Sequence, residues 1–207
     1  MNITIEEKHV EQVYSKIAKQ FNNTRHYKWN YVEKFINEQP KNSTIVDIGC
    51  GNGRNMKNKN YKFIGIDTCL EFIEICTNQG LSAIYGGMTD IPLKENLCNS
   101  IISIASFHHL STVQRRLRCF SEMNRILKPG GKLLLTVWSK TQPEKTKRKF
   151  KNYGDNYVSW KNKNDTYHRY YYIFKTDELI ELAHKSGFIL IDNYWECGND
   201  IFTFEKN

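Results

Sequence analysis

The chain has 207 residues, 40% hydrophobic and 25% charged, which indicates a globular protein with a sizeable core and excludes wholesale disorder. It contains no apolar run of about 18 residues, so we expect no membrane span, and its first residues lack the layout of a signal peptide. Its six cysteines are scattered without a C-x-x-C pair. This spacing argues against a zinc site or disulfide framework and favours a reducing compartment, the cytosol or the nucleus.

Most of the net charge of +8 falls in residues 139–175, which hold ten basic and three acidic side chains. Nine aromatic residues are interleaved with them. Positive charge mixed with aromatic rings is typical of a surface that binds nucleic acid, and an anionic membrane face is the alternative. We predict a long irregular insertion here that binds the substrate.

Hydrophobic periodicity predicts alternating helices and strands along the rest of the chain. Helices are expected at residues 4–21, from Asn30 to before Pro40, from Thr68 to Gly80, from Thr112 towards Pro129, and from Thr176 to Gly187, with at most a short polar helix at 54–60. Strands are expected at 44–48, 63–67, 82–85, 100–105, 133–138, 188–195 and 201–204. This order predicts one domain over residues 1–207, with a parallel sheet and a closing antiparallel hairpin.

The first strand leads into Asp47-Ile48-Gly49-Cys50-Gly51-Asn52-Gly53. Glycines at alternate positions let the backbone turn tightly and approach a ligand closely. The pattern D-x-G-x-G-x-G differs from the dinucleotide pattern G-x-G-x-x-G, because an acid precedes the glycines. The carboxylate of Asp47 can accept hydrogen bonds from an ammonium group. The carboxylate of Asp67, at the end of the next strand, can accept them from ribose hydroxyls. Together they predict S-adenosylmethionine as the ligand.

These residues resemble the first motif and the ribose-binding acid of class I S-adenosylmethionine-dependent methyltransferases. The resemblance implies a Rossmann-like α/β fold, with seven mostly parallel strands, an antiparallel terminal hairpin and helices on both faces. It implies cofactor contacts from Asp47, Gly49, Cys50, Gly51, Asn52, Asp67, Thr68, Met88 and Ala105, with no metal in this chain. The family usually has an acidic residue at the position of Gly87. Without it, the adenine is expected to be contacted by the backbone near Met88 and by Asp90.

Five further stretches are more specific than the glycine motif. In chain order they are Arg25-His26-Tyr27-Lys28-Trp29, Ile104 to Thr112 with its His108-His109 pair, Thr136-Val137-Trp138, Tyr157-Val158-Ser159-Trp160, and Tyr167-His168-Arg169-Tyr170-Tyr171. Together they resemble the eukaryotic tRNA wobble-uridine carboxymethyl methyltransferases and the related domain of AlkB-type tRNA hydroxylase fusions. The resemblance implies methyl esterification of 5-carboxymethyluridine at the wobble position of tRNA.

This chemistry needs no general base, because a carboxylate is already ionised at neutral pH. It needs groups that hold the carboxylate in line with the methyl carbon and exclude water. The catalytic candidates are Arg25, His108, Trp138, His168 and Arg169. The candidates for substrate binding are Lys28, Trp29, His109, Tyr170, Lys147 and Arg148.

The resemblance also implies two partners. One is the tRNA anticodon stem-loop, and the other is a small zinc-binding activator protein. The predicted strand at 82–85 should lie at the edge of the sheet, where a partner can add a strand.

Two other functions fit part of the sequence. A methyltransferase for a small-molecule or protein carboxylate would share the cofactor site but gives no role to the basic segment. A non-catalytic, methyltransferase-like RNA-binding scaffold is consistent with Gly87, but it would not need Asp67 or an intact glycine turn.

Overall fold

The computed structural model describes residues 3–24, 28–146, 148–162 and 165–207. Its strands are β1 Thr44–Ile48, β2 Lys62–Asp67, β3 Ala83–Tyr85, β4 Cys98–Ile104, β5 Leu127–Trp138, β6 Gly154–Asn162, β7 Asp165–Ile173, β8 Phe188–Glu196 and β9 Asn199–Lys206. Its helices are α1 Gln12–Asn22, α2 Asn30–Asn37, α3 Leu70–Asn78, α4 Val113–Ile126 and α5 Thr176–Lys185. A π-helical turn at Glu7–Glu11 precedes α1, and a 3-10 turn at Phe107–His109 follows β4.

Seven strands form one sheet in the order β3-β2-β1-β4-β5-β9-β8. The pairs from β3 to β5 are parallel, and β9 lies antiparallel to both β5 and β8. The predicted mostly parallel sheet with an antiparallel hairpin is confirmed. The order reverses between β1 and β4, and a ligand site is expected beyond the carboxyl ends of the strands at such a point.

Helices cover both faces of the sheet, because successive strand residues point to opposite sides. On one face, Val46 packs in a buried cluster with Phe120 and Met123 of α4. On the other face, Ile45 packs with Val32 of α2 in a second cluster. The carboxyl ends of the strands are therefore held between two packed layers, which fixes the backbone that surrounds the site.

Only the first part of the segment at 139–175 is irregular as the sequence predicts, because a two-stranded sheet begins at Gly154. Strands β6 and β7 pair antiparallel along their length, with Tyr157 opposite Tyr170 and Ser159 opposite His168. The alternation was hidden because aromatic residues stand on both faces of these strands and because Arg169, a charged residue, is buried. Exposed aromatic side chains such as Tyr157 blur the usual separation between an apolar and a polar face.

Residues 54–60 contain turns and no helix, which agrees with the expectation of at most a short helix there. The predicted start of the third helix at Thr68 was wrong. Helix α3 begins after Cys69, and no side chain caps it; instead the carboxylate of Asp67 accepts the Cys69 amide at 2.9 Å. Within the described ranges, no helix combines the length and apolar character that crossing a bilayer requires.

Candidate active site

A cavity of about 360 Å³ opens beyond the carboxyl ends of the parallel strands. The glycine turn after β1 and the ends of β2, β4 and β5 form its base. Helix α1 and strand β7 supply the opposite wall through Tyr14, Arg169 and Tyr171. The site therefore lies at the reversal in strand order, between the main sheet and the β6–β7 sheet.

The glycine turn presents bare backbone to this cavity. Gly49, Gly51 and Gly53 have φ angles of 74°, 53° and 71°, in the region that favours glycine. The amides of Gly49 and Cys50 both donate to the Ile66 carbonyl, at 2.8 and 3.0 Å, which ties the turn to β2. A Cβ on Gly51 would meet no protein atom within 4 Å. The space over Gly51 is thus free for a ligand pressed against the backbone.

Asp67 is fixed at the edge of the cavity by the turn itself. Its Oδ2 accepts the Gly51 amide at 2.8 Å, while Oδ1 accepts the Cys69 amide. Burial raises the pKa of this carboxyl to about 6, although the backbone donors oppose the shift. The remaining lone pairs of a carboxylate held in this way suit ribose hydroxyls.

Beneath the turn, two acceptor oxygens have no partner among the described residues. They are Oδ1 of Asp47 and Oδ1 of Asn55, both buried. Burial raises the pKa of the Asp47 carboxyl to about 7, and the Asn55 amide donates to it at 3.5 Å. Unsatisfied buried acceptors are costly, and Asn55 lines the cavity, so its oxygen suits a donor group of a ligand, whereas Asp47 lies behind the cavity lining. The bare glycine backbone, Asp67 and the Asn55 oxygen together match the parts of S-adenosylmethionine.

The raised pKa of Asp67 predicts a pH-dependent affinity for the cofactor. Its ionised carboxylate accepts the ligand's donors, so affinity should fall as pH drops from 8 to 5.5 through a pKa of about 6. The fall should approach about ten-fold per pH unit below that pKa. Calorimetry with S-adenosylhomocysteine measures it, and Asp67→Asn should flatten the profile. An affinity that does not change over this pH range would contradict the assignment.

The opposite side of the cavity is a wall of stacked rings and guanidinium groups. Trp138 and Tyr171 stack with centroids 4.1 Å apart and planes 7° apart. The Arg148 guanidinium lies 4.0 Å from the Trp138 ring centroid, and that of Arg169 lies 4.8 Å from the ring of Trp160. Such a wall accepts a flat ring and an anionic group together.

Arg169 is the unusual member of this wall, because it is buried without an anion. It is 5% exposed, and its Nε has no hydrogen-bond partner in the described chain. The one hydrogen bond that the structure shows for its guanidinium runs to the Tyr14 hydroxyl, at 3.4 Å. Within the described residues no carboxylate forms an ion pair with it. A buried cation in this state strongly favours an anionic ligand in the cavity.

Many of the predicted site residues line this cavity. They are Gly49, Cys50, Gly51, Asn52, Asp67, Thr68, Met88 and Ala105 on the cofactor side, and Trp29, His109, Trp138, Arg148 and Arg169 on the substrate side. Asp47, Lys28, His108, His168 and Tyr170 do not line it. Arg25 and Lys147 lie outside the described residues, and their roles stay predictions. In the part of the chain that the structure describes, no group of His, Cys, Asp and Glu could hold a metal ion.

Strand alternation separates the predicted residues of β7. Arg169 and Tyr171 face the cavity, so their neighbours point away from it. Tyr170 is buried and donates to Asp155 Oδ1 at 2.6 Å, while His168 is exposed beside Ser159. The structure therefore brings Tyr171, rather than Tyr170, to Trp138.

His108 acts on the site through the backbone. Its ring is fully buried, and its Nδ1 accepts the Trp138 amide at 3.0 Å. Burial lowers the pKa of His108 well below its ordinary value, so the ring is neutral and holds the end of β5 in place. Lys28 lies 3.8 Å from the Glu33 carboxylate rather than in the cavity.

The sequence reasoning missed several residues that line the cavity, among them Glu11, Tyr14, Ser106 and Asn199. Tyr14 falls on the apolar stripe of the first predicted helix, where hydrophobic periodicity treats it as a packing residue. Its hydroxyl contacts His109, Arg169 and Tyr171. The hydroxyl of Tyr14, on an otherwise apolar helix face, is the feature of the sequence that could have indicated this role.

Known proteins resemble this chain in sequence and in fold. A family model described as a methyltransferase domain matches residues 46–135. The tRNA (carboxymethyluridine(34)-5-O)-methyltransferase of Schizosaccharomyces pombe is 36% identical over 100% of both chains. The Arabidopsis thaliana protein of the same description is 40% identical over 68% of this chain, which covers 35% of its length.

A solved structure shows the fold in a more distant protein. It is the complex between the Haloferax volcanii Trm112 methyltransferase activator and a putative methyltransferase, which matches with a TM-score of 0.67 and 16% identity over 96% of this chain and 98% of that chain. This likeness concerns the fold alone, whereas the full-length identity to the S. pombe protein shows the family. The chain belongs to the family of S-adenosylmethionine-dependent tRNA (carboxymethyluridine(34)-5-O)-methyltransferases.

Proposed function

We propose that this chain transfers a methyl group from S-adenosylmethionine to the carboxylate of 5-carboxymethyluridine at the wobble position of tRNA. The observation that carries the proposal is the buried guanidinium of Arg169, which has no anionic partner among the described residues and lies in the same cavity as the glycine turn. A carboxylate on the acceptor supplies the missing anion. A scaffold would need neither this cation nor the bare backbone at Gly51.

S-adenosylmethionine supplies an electrophilic methyl group on a sulfonium. Arg169 holds and orients the acceptor carboxylate, whose oxygen is already a nucleophile at neutral pH. Trp138 and Tyr171 form an apolar wall beside it that excludes water and offers a face for the uracil ring. We propose that Arg25, outside the described residues, adds a second contact to the acceptor carboxylate.

His109 does not compete as a cation, because burial lowers its pKa to about 3. His108 is neutral for the same reason. Neither histidine therefore changes its protonation state near neutral pH, as expected for a transfer that needs no general base.

We further propose that the basic segment at 139–175 binds the anticodon stem-loop. Tyr153 supports this, because its ring is 45% exposed with Lys140 and Lys175 at 4.6 and 6.0 Å from its centroid. Exposed rings beside lysines suit an unpaired base and its phosphates. Lys147 and Arg148 belong to the same segment.

RNA affinity should therefore depend steeply on salt and on these lysines. Replacing Lys140 and Lys175 together with alanine should weaken binding of an anticodon stem-loop and reduce the slope of log K against log salt by roughly one to two. Fluorescence anisotropy at several salt concentrations measures both quantities. Lys132→Ala is the matched control, since Lys132 is exposed in the middle of β5 and lies outside the basic segment. A slope equal to that of the unmodified protein would contradict the assignment.

We also propose that a small zinc-binding activator covers the edge of the sheet at β3, in the cytoplasm or nucleus. The edge position of the strand supports this, as do two apolar side chains beside it, Leu70 at 63% and Tyr85 at 58% exposure. An exposed edge strand with apolar neighbours invites another strand. Comparing solubility and cofactor binding of the chain expressed with and without an activator tests the proposal, and no difference would contradict it.

The reaction is tested by incubating the chain, the activator and S-adenosylmethionine with tRNA from cells that lack this methylation. Mass spectrometry of the wobble nucleosides should show conversion of 5-carboxymethyluridine to its methyl ester. Methylation of another nucleoside, with 5-carboxymethyluridine unchanged, would refute the proposed function.

A further inference from the structure

A chain of hydrogen bonds runs from the backbone of β7 through His109 and Tyr14 to Arg169. His109 Nδ1 lies 2.6 Å from the Tyr170 carbonyl oxygen, which can only accept. Nδ1 therefore carries the ring proton, and Nε2 of the neutral ring is an acceptor. The Tyr14 hydroxyl lies 3.1 Å from this Nε2, so Tyr14 donates its proton to His109.

Once the Tyr14 proton points to His109, the lone pairs of the Tyr14 oxygen face the other two neighbours. These are Arg169 Nη1 and the Tyr171 hydroxyl, each 3.4 Å away. Both then act as donors to Tyr14. The donor and acceptor in each of these hydrogen bonds are thus fixed by the Tyr170 carbonyl oxygen, which can only accept.

Helix α1 holds Tyr14 in this position. Trp160 Nε1 donates to Gln20 Oε1 at 2.7 Å, which ties α1 to β6. The Tyr14 ring also packs edge-on against Phe21 and His109, at 5.6 and 5.4 Å between centroids. The hydroxyl is therefore a fixed acceptor rather than a rotating surface group.

We propose that Tyr14 is a positioning residue for the acceptor carboxylate, which acts by orienting Arg169. Its oxygen binds one edge of the guanidinium and leaves Nε and the other terminal nitrogen to the ligand. The inference rests on the proposed function, since it assigns Arg169 to a substrate carboxylate. It predicts that the Tyr14 hydroxyl contributes to recognition of the charge and not to binding of the RNA as a whole.

The test compares two anticodon stem-loop RNAs, one with 5-carboxymethyluridine and one with the neutral 5-carbamoylmethyluridine at the wobble position. Affinity for each is measured in the presence of S-adenosylhomocysteine. Tyr14→Phe should lower the preference for the charged RNA by about ten-fold, because a hydrogen bond to a charged group is lost. Its affinity for the neutral RNA and for S-adenosylhomocysteine should not change. In an Arg169→Met background, Tyr14→Phe should have no further effect on the preference.

Tyr61→Phe is the matched control, because the Tyr61 hydroxyl donates to the Gln39 carbonyl at 3.3 Å, away from the cavity. It should leave the preference unchanged. A Tyr14→Phe variant that keeps the full preference, or that loses affinity for both RNAs equally, would overturn the positioning role. If the unmodified protein itself does not distinguish the two RNAs, the proposed function fails first.

Discussion

Replacing Arg169 with methionine should abolish methyl ester formation and at the same time make the protein more stable. The guanidinium is buried without an ion-pair partner among the described residues, so methionine of similar volume removes a desolvated charge. Exchanges of buried charged groups for apolar ones commonly stabilise proteins by about 1 to 4 kcal/mol. Loss of a preorganised donor to the reacting group should lower kcat/KM by about 100-fold or more.

Thermal unfolding and single-turnover assays on anticodon RNA measure the two effects. Arg169→Lys should keep part of the methyl-transfer activity, because lysine retains the positive charge but lacks the planar guanidinium that donates two parallel hydrogen bonds to a carboxylate. Arg118→Met is the control, since the side chain of Arg118 is 58% exposed on α4, 3.5 Å from Glu122. An Arg169→Met variant with normal activity would remove the observation on which the proposed function rests.

Replacing Gly51 with alanine should strongly weaken cofactor binding while the protein stays folded. Gly51 has a φ of 53°, and an added Cβ would have no protein atom within 4 Å, so the cost to stability is the backbone strain alone. A left-handed conformation for a residue other than glycine costs about 1 to 2 kcal/mol. The added methyl group enters the space over the turn, where overpacking of about 1 to 3 kcal/mol lowers affinity by about 10- to 100-fold.

Gly80→Ala is the matched control for this substitution. Gly80 has a φ of 71°, also with no atom within 4 Å of an added Cβ, but it lies after α3 and does not line the cavity. The two variants should lose similar stability in chemical denaturation. Only Gly51→Ala should lose affinity for S-adenosylhomocysteine in calorimetry. Equal affinity in both variants would show that the ligand does not lie over Gly51.

The cofactor side of the cavity was predictable because its signals are local in sequence. The turn from Asp47 to Gly53 needs glycines for its φ angles, and Asp67 ends the neighbouring strand. The parallel sheet with its closing hairpin follows from the alternation of strands and helices. What these residues bind follows from their types and spacing, with no need for the rest of the fold.

The substrate side depends on contacts that no local pattern contains. Whether His168 or Arg169 faces the cavity is decided by the register of β6 and β7, and aromatic residues on both faces conceal that register. Tyr14 reaches Arg169 across 155 positions of the chain, through the placement of α1 against β7. Periodicity counts tyrosine as apolar, so it does not distinguish a packing ring from a hydroxyl in a network.

We propose that the buried guanidinium of Arg169 selects a carboxylate as the methyl acceptor. It is tested most directly with a labelled methyl group on S-adenosylmethionine and the two anticodon RNAs, carrying 5-carboxymethyluridine or 5-carbamoylmethyluridine. We expect label only on the first RNA, at the wobble nucleoside, and release of all the label as methanol in mild alkali, as for an ester. Label on the second RNA, or label that resists alkali, would contradict the claim.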